Sequence, residues 1–282
     1  MMKAVLYYYD DVPHHKQGMA LMAEGLRRHG FATAFSTDDA PKDADLVVMW
    51  GYRRQEVIDA AARRGTPVLV MERGHVQPRM VWTSCGFNGL GRRALYPVAP
   101  DGGARWNKHF AHHLKSWRSG GDYALVCGQL PGDVALQGSD IRVWAQSAID
   151  ALRAKGHAVR YRPHPYVALI GENWLPENAT ISTCPVAKDF YDPSLLAEDL
   201  RDASMVVTFN STSGVECVLA GIPTVTMDEG AMAWPVTTHD LAAPPQTPDR
   251  TAWCHDLAWT QWLPEEIENG EAWAAVRGCV GM

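Results

Sequence analysis

Three short stretches of this 282-residue sequence combine residue types that can do chemistry. Arg162-Pro163-His164-Pro165 sets a guanidinium and an imidazole among two prolines. The proline rings restrict the backbone and hold both side chains in place, and a cation or imidazole so held can bind a diphosphate or a departing phosphate. In Asn210-Ser211-Thr212-Ser213-Gly214-Val215-Glu216, three consecutive hydroxyls precede a helical pattern. Unpaired N–H groups and partial positive charge at a helix start suit a phosphate, although one hydroxyl suffices as a plain N-cap. Glu216, early in the same helix, can accept hydrogen bonds from a ribose diol or complement the helix dipole. Met71-Glu72-Arg73-Gly74-His75 supplies a carboxylate and an imidazole as candidate bases, and Asp10-Asp11 supplies another carboxylate near the N-terminus.

Each stretch follows an apolar run that reads as a buried strand. Strands are expected at 3–9, 31–36, 45–50 and 67–71, with helices at 17–29 and 55–64 closed by Gly30 and Gly65. Residues 72–120 lose this rhythm. It restarts with strands at 123–127, 158–161, 204–209 and 223–227 and helices at 141–155, 195–201 and 213–220. Alternating strands and helices imply parallel sheets covered on both faces. We therefore expect an α/β chain in three parts: a Rossmann-like half over 1–120, a second over 121–240, and a tail over 241–282. A tail helix at 264–276, with Pro264 in its first turn, is expected to cross back over both halves.

The composition is that of a globular protein, 46% hydrophobic and 21% charged. No apolar run approaches the ~18 residues of a membrane span. The N-terminal apolar run has neither a cationic lead nor a small-residue cleavage site, so it does not read as a signal peptide, and a cytoplasmic setting is expected. The cysteines at 85, 127, 184, 217, 254 and 279 form no CxxC pair and read as free, mostly buried thiols, with no zinc site. Residues 1–120 hold 17 Lys+Arg and 11 Asp+Glu, and residues 121–282 hold 9 and 21. A basic first half is expected to face an anionic partner.

Gln129 and Asp133 after one strand, His164-Pro165 after another, and Ser211 to Glu216 after a third resemble the conserved stretches of GT-B glycosyltransferases related to capsule-polysaccharide and Kdo transferases. Met71-Glu72-Arg73-Gly74 partly matches a fourth, an acidic-acidic-Gly segment, with Arg73 in the second acidic place. The resemblance spans about residues 67–240. It implies two Rossmann-like halves facing a central cleft, with a nucleotide-sugar donor held by Gln129, Asp133, Arg162, His164, Ser211, Thr212, Ser213 and Glu216. The acceptor-activating base is then Glu72 first, His75 second and Asp11 third. No Asp-x-Asp pair occurs, so a metal-independent transfer is expected, with no cofactor beyond the donor, a UDP-sugar first.

For the acceptor, Arg73, Arg79, Trp82, Asn88, Arg92 and Arg93 mix cations with aromatics in the irregular stretch, and 87–93 reads as a flexible basic loop. Such a mixture suits nucleic acid and anionic glycans alike. A stand-alone chain of this size resembles bacteriophage-encoded glycosyltransferases, which implies transfer to a 5-hydroxymethyl pyrimidine (5-hydroxymethylcytosine) in phage DNA within the host cytoplasm. The alternatives are a capsule or lipopolysaccharide transferase of the Kdo type, a nucleotide-sugar epimerase, and a non-catalytic nucleic-acid binder.

Overall fold

The computed structural model describes residues 1–167, 169–182 and 193–282. They divide into two compact units, Met1–Phe110 with Thr251–Met282, and Ala111–Arg250.

Unit 1 opens with β1 (Lys3–Tyr7), α1 (Pro13–Arg28), β2 (Ala32–Ser36), β3 (Leu46–Trp50), α2 (Gln55–Arg64) and β4 (Val68–Arg73). α1 buries Met19, Met22, Ala23 and Leu26 along one stripe, as their spacing requires. α2 stops where Gly65 turns left-handed at φ 69° and returns its N–H to Ala61 and Ala62. β1 pairs in parallel with β2 and β3, and β3 with β4. Alternate strand residues therefore face opposite helices. Val5, Tyr7, Val47, Met49, Val68 and Val70 pack with Val57 and Ile58 of α2, while Leu6, Val48, Leu69 and Met71 pack with the α1 stripe.

The irregular stretch contains a strand that the sequence pattern does not announce. β5 (Thr83–Phe87) runs antiparallel to β4, with Glu72 opposite Ser84 and Leu69 opposite Phe87. Its Thr-Ser-Cys-Gly-Phe composition has little β signature, and pairing along β4 supplies what propensity does not. α3 (Ala104–His109) follows.

Unit 2 contains β6 (Tyr123–Cys127), α4 (Ile141–Ala154), β7 (Val159–Arg162), β8 (Thr180–Ile181), α5 (Pro193–Arg201), β9 (Ala203–Thr208), α6 (Ser213–Leu219) and β10 (Thr224–Thr226). Every pairing is parallel, in the order β8-β7-β6-β9-β10. Counted within the unit, this is the 3-2-1-4-5 order of a doubly wound nucleotide-binding sheet.

The chain then returns to unit 1 as α7 (Thr251–Ala258), β11 (Gln261–Trp262), α8 (Pro264–Glu268) and α9 (Glu271–Val276). β11 extends the first sheet antiparallel to β5, giving the order β2-β1-β3-β4-β5-β11. Instead of one helix over 264–276 there are two. They part at Gly270, φ 87°, because α1 approaches so closely there that a Cβ on Gly25 would lie 2.1 Å from the Ile267 carbonyl. Trp273 then seals the core edge-on to Phe31, 5.2 Å between rings. Among the described residues Cys85, Cys127, Cys217 and Cys254 are buried free thiols and Cys279 is half-buried, while Cys184 lies outside them.

Candidate active site

In an open parallel sheet, ligands bind at the carboxyl ends of the strands where the order reverses. In unit 2 that point lies between β6 and β9. Gln129 leaves β6 and Asn210 leaves β9. Gln129 Nε2 donates to Asn210 Oδ1 at 2.7 Å, and the Asn210 N–H donates to Gln129 Oε1 at 2.9 Å. Asn210 Nδ2 donates to the Ala135 carbonyl and to Asp228 Oδ1, both at 2.8 Å. Asp228 follows β10, so a single amide ties together the exits of three strands. Gln129 thus spends its amide on Asn210, and Asp133 accepts the Ala135 N–H at 2.9 Å to cap the turn Val134–Leu136. Both expected donor ligands hold the loops in shape. Asn210 and Asp228 complete the junction. Asn210 stood beside the serines in the motif, while Asp228 had no sequence signal.

Beyond Asn210, Ser211 Oγ accepts from Ser213 N at 3.2 Å and from Ser213 Oγ at 2.9 Å. Ser211, Thr212, Ser213 and Glu216 are all half-buried, and Thr212 makes no side-chain cap. Gly214 lets α6 sit tight on β9, since a Cβ there would lie 3.2 Å from Thr208. The neighbouring loop encloses an open cavity of about 460 Å³, lined in part by Asp133, Gln137, Asp140 and Arg142.

His164 and Arg162 behave differently from each other. His164 Nδ1 accepts the Tyr166 N–H at 3.2 Å, so in the neutral ring the proton sits on Nε2. Arg162 is buried, and its Nη1 donates to Asp199 Oδ2 at 2.6 Å and to the Leu195 carbonyl at 3.2 Å. Asp199 also receives Ser182 Oγ at 2.9 Å and Arg160 at 3.3 Å. Instead of the anion contact expected from the motif, Arg162 fastens β7 to α5. A buried carboxylate demands such a partner.

In unit 1 the order reverses between β1 and β3. Trp50 ends β3, with His15 stacked on it at 5.1 Å and His14 edge-on at 5.3 Å. The Arg73 guanidinium lies 5.8 Å from the same ring. Burial, then the charges of His14 and Arg73, pull His15 down to about 4, with Asp11 opposing. Burial and Arg73 lower His14 as well. Glu72, next to last in β4, is half-buried, and a Cβ on Gly51 would come within 3.4 Å of its Oε1. Asp11 is exposed in the β1–α1 loop. This edge therefore gathers Glu72, Arg73 and Asp11 with His14, His15 and Trp50, three residues the sequence reading passed over. For the two histidines the signal was a His-His pair right after Pro13, in what proves to be the first turn of α1. Arg54 was missed too. It is buried, donates to the Tyr8 and Asp38 carbonyls at 2.8 Å each, pairs with Asp39, and fixes the β1 exit.

The remaining expectations move. His75 is buried, and its burial and the nearby Arg79 hold it down at about 3, so its ring is a neutral interior group. Trp82 is buried against Phe110 and His109, ring distances 4.6 and 5.3 Å, and so offers no stacking face. Arg79 Nε donates to the carbonyl of Gly74, within its own turn, at 2.7 Å. Asn88 exchanges hydrogen bonds of 2.8 and 2.9 Å with Val68, the first residue of β4. Because β5 runs antiparallel, it carries Asn88, Arg92 and Arg93 to the amino edge of the sheet, opposite Glu72. The 87–93 stretch is a tight turn through Asn88 at φ 61°, not an open loop.

The charge division also changes. With 251–282 returned to it, unit 1 has 16 Lys+Arg and 16 Asp+Glu, and unit 2 has 10 and 16. Among the described residues no three His, Cys, Asp or Glu side chains gather as a metal site, and no helix is long and apolar enough to cross a membrane.

No protein-family model and no curated protein matches the sequence. Solved structures do match. The chain is similar to the β-Kdo 2,4-transferase of Thermosulfurimonas dismutans KpsC, with 14% identity, 99% of this chain and 98% of that one covered, and a TM-score of 0.62. It is also similar to the β-Kdo 2,7-transferase of the same KpsC, with 12% identity, coverage of 95% and 99%, and a TM-score of 0.51. The fold is α/β of the GT-B class, with two Rossmann-type units.

Proposed function

We propose that this chain is a glycosyltransferase that holds a nucleotide-activated sugar on unit 2 and passes the sugar to a hydroxyl of a glycan acceptor, in the manner of Kdo transferases. The observation that carries the reading is the Gln129–Asn210–Asp228 junction. It stands at the switch point of an all-parallel sheet and presents Ser211, Thr212 and Ser213 there. In the proposed reaction Glu72 takes the proton of the acceptor hydroxyl, the oxygen attacks the anomeric carbon, and the nucleotide departs with the bonding electrons. The Nε2–H of His164 and the hydroxyls of Ser211 and Thr212 donate to the leaving phosphate. The donor is a pyrimidine-nucleotide sugar, CMP-Kdo before the UDP-sugars.

A glycan acceptor is favoured over DNA for three reasons. Unit 1 carries no net charge, Trp82 is buried, and Arg92 and Arg93 lie at the amino edge of the sheet. The test is to incubate the protein with CMP-Kdo generated in situ, or with UDP-sugars, together with either a Kdo-terminated oligosaccharide or hydroxymethylated DNA, and to read products by mass spectrometry. Kdo added to the oligosaccharide is expected. A sugar on DNA overturns the acceptor reading, donor turnover without acceptor points to an epimerase, and no turnover of any donor overturns the proposal.

A further inference from the structure

Unit 1 hides a polar row in an otherwise apolar sheet. Glu72 on β4 stands opposite Ser84 on β5, and Ser84 stands opposite Gln261 on β11. Directly opposed residues point to the same face. Their neighbours Met71, Cys85 and Trp262 pack with the α1 core, so Glu72, Ser84 and Gln261 all face the α2 side. Ser84 and Gln261 are buried there. Tyr96 covers the row. Its ring lies on Gly86, where a Cβ would come within 2.5 Å of it, and its hydroxyl is hydrogen-bonded to Ser84. His75 closes the far end. Its N–H and that of Val76 donate to Gln261 Oε1 at 2.6 and 3.2 Å, and its ring meets Tyr96 edge-on at 6.2 Å. Neither His75 ring nitrogen nor Gln261 Nε2 has a hydrogen-bond partner among the described residues, although both residues are more than nine-tenths buried.

Buried polar groups at this density cost stability unless they do something for a neighbour. We propose that Ser84 and Tyr96 are positioning residues: the Tyr96 phenol donates to Ser84, Ser84 donates to Glu72, and the row holds the Glu72 carboxylate charged and oriented at the sheet edge. This rests on the reading of Glu72 as the base. Opposed Cβ atoms stand about 5 Å apart, within reach of a Ser hydroxyl and a Glu carboxylate. Burial raises the Tyr96 phenol, with the nearby Cys85 and Glu72 adding to it against the opposing Ser84 hydrogen bond, so Tyr96 remains protonated over the working pH range. The titratable and polar groups on the elements around Glu72 are Arg73 on its own strand, His75 and Arg79 in the β4–β5 turn, Ser84 opposite it and Cys85 on the other face of β5, Tyr96 in the stretch after β5, and Tyr52 and Arg53 after β3. His14 and His15 lie beside Arg73 on α1. With His75, His14 and His15 all held neutral near pH 7 by burial, hydroxyl donors matter more to the carboxylate than imidazolium charge.

The full-length protein labelled with ¹³Cδ-glutamate tests this by NMR titration, with Glu72→Gln identifying the resonance. Each oxygen deletion is small enough to keep the fold. Loss of a donor to a carboxylate raises its pKa. Ser84→Ala is expected to raise the Glu72 midpoint by about one unit, and Tyr96→Phe, acting through Ser84, by roughly half a unit. An unmoved midpoint in Tyr96→Phe overturns the row even if Glu72→Gln has lost sugar transfer. Full transfer by Glu72→Gln sinks the base reading, and with it the role given to the row, whatever the titration shows.

Discussion

The two sheet edges solve one problem in opposite ways. In unit 2 the polar groups at the switch point are spent on one another. Asn210 alone donates to Ala135 and Asp228 and receives Gln129, so the junction ties the loops together and the hydroxyls of Ser211 and Thr212 stand beyond it. In unit 1 the edge is aromatic and titratable. His14 and His15 lie on Trp50 beside Arg73, and Glu72 is backed by strands that reverse direction. A leaving phosphate needs fixed donors, which a pre-organised junction supplies. A base needs a tuned proton affinity, which burial and neighbouring groups supply.

Substitutions can break or sharpen this contrast, and the largest effect belongs to unit 1. Glu72→Gln is expected to lower turnover about 10²–10⁴-fold while leaving donor affinity, measured by calorimetry, unchanged. A comparable loss of donor affinity would erase the division of labour between the edges. Next is Arg162→Met, which takes from the buried Asp199 its shortest donor, leaving Ser182 and Arg160, and is expected to cost about 3 kcal/mol in denaturant unfolding. The donor Kd of the folded protein should not move; a tenfold weaker Kd at full stability would restore Arg162 as a ligand. Asn210→Ala removes three side-chain hydrogen bonds and is expected to cost about 2–4 kcal/mol, with donor binding weakened in step.

A further effect concerns pH and vanishes near neutrality. His75 has a folded pKa of about 3, below its unfolded value of about 6.5. Its protonation therefore favours unfolding, and stability falls as pH drops from about 6.5 towards 3, by up to about 1.4 kcal/mol per pH unit. His75→Phe should flatten that slope in thermal melts taken across the window. Smallest of all, Arg92→Ala with Arg93→Ala should leave sugar transfer unchanged. A clear loss would return the amino edge to the acceptor site.

Unit 2 was legible because a parallel sheet repeats one rhythm of apolar run, turn and helix. Tyr123 to Cys127 and the start of α4 at Ile141 fall where the pattern puts them. The roles of its motif residues were less so. Arg162 and Gln129 stand at the expected strand ends, but whether a guanidinium or an amide meets a ligand or a neighbour depends on Asp199 and Asn210, 37 and 81 residues away. In unit 1 the legible rhythm ended with β4. The antiparallel β5, weak in β-forming residues, turned the basic 87–93 stretch away from the edge it was expected to serve.

By itself the sequence determined the class of fold and the strand ends on which chemistry can stand, because apolar periodicity and glycine stops are local. Tertiary structure alone decided which polar groups are free for chemistry. It buried Trp82 and His75, paired Arg162 with Asp199, set His15 on Trp50, and folded the acidic C-terminal segment onto the basic N-terminal one, so that the charge split along the chain became a neutral unit. Partners that satisfy a buried charge or hydrogen bond come from distant parts of the chain, and no local pattern names them.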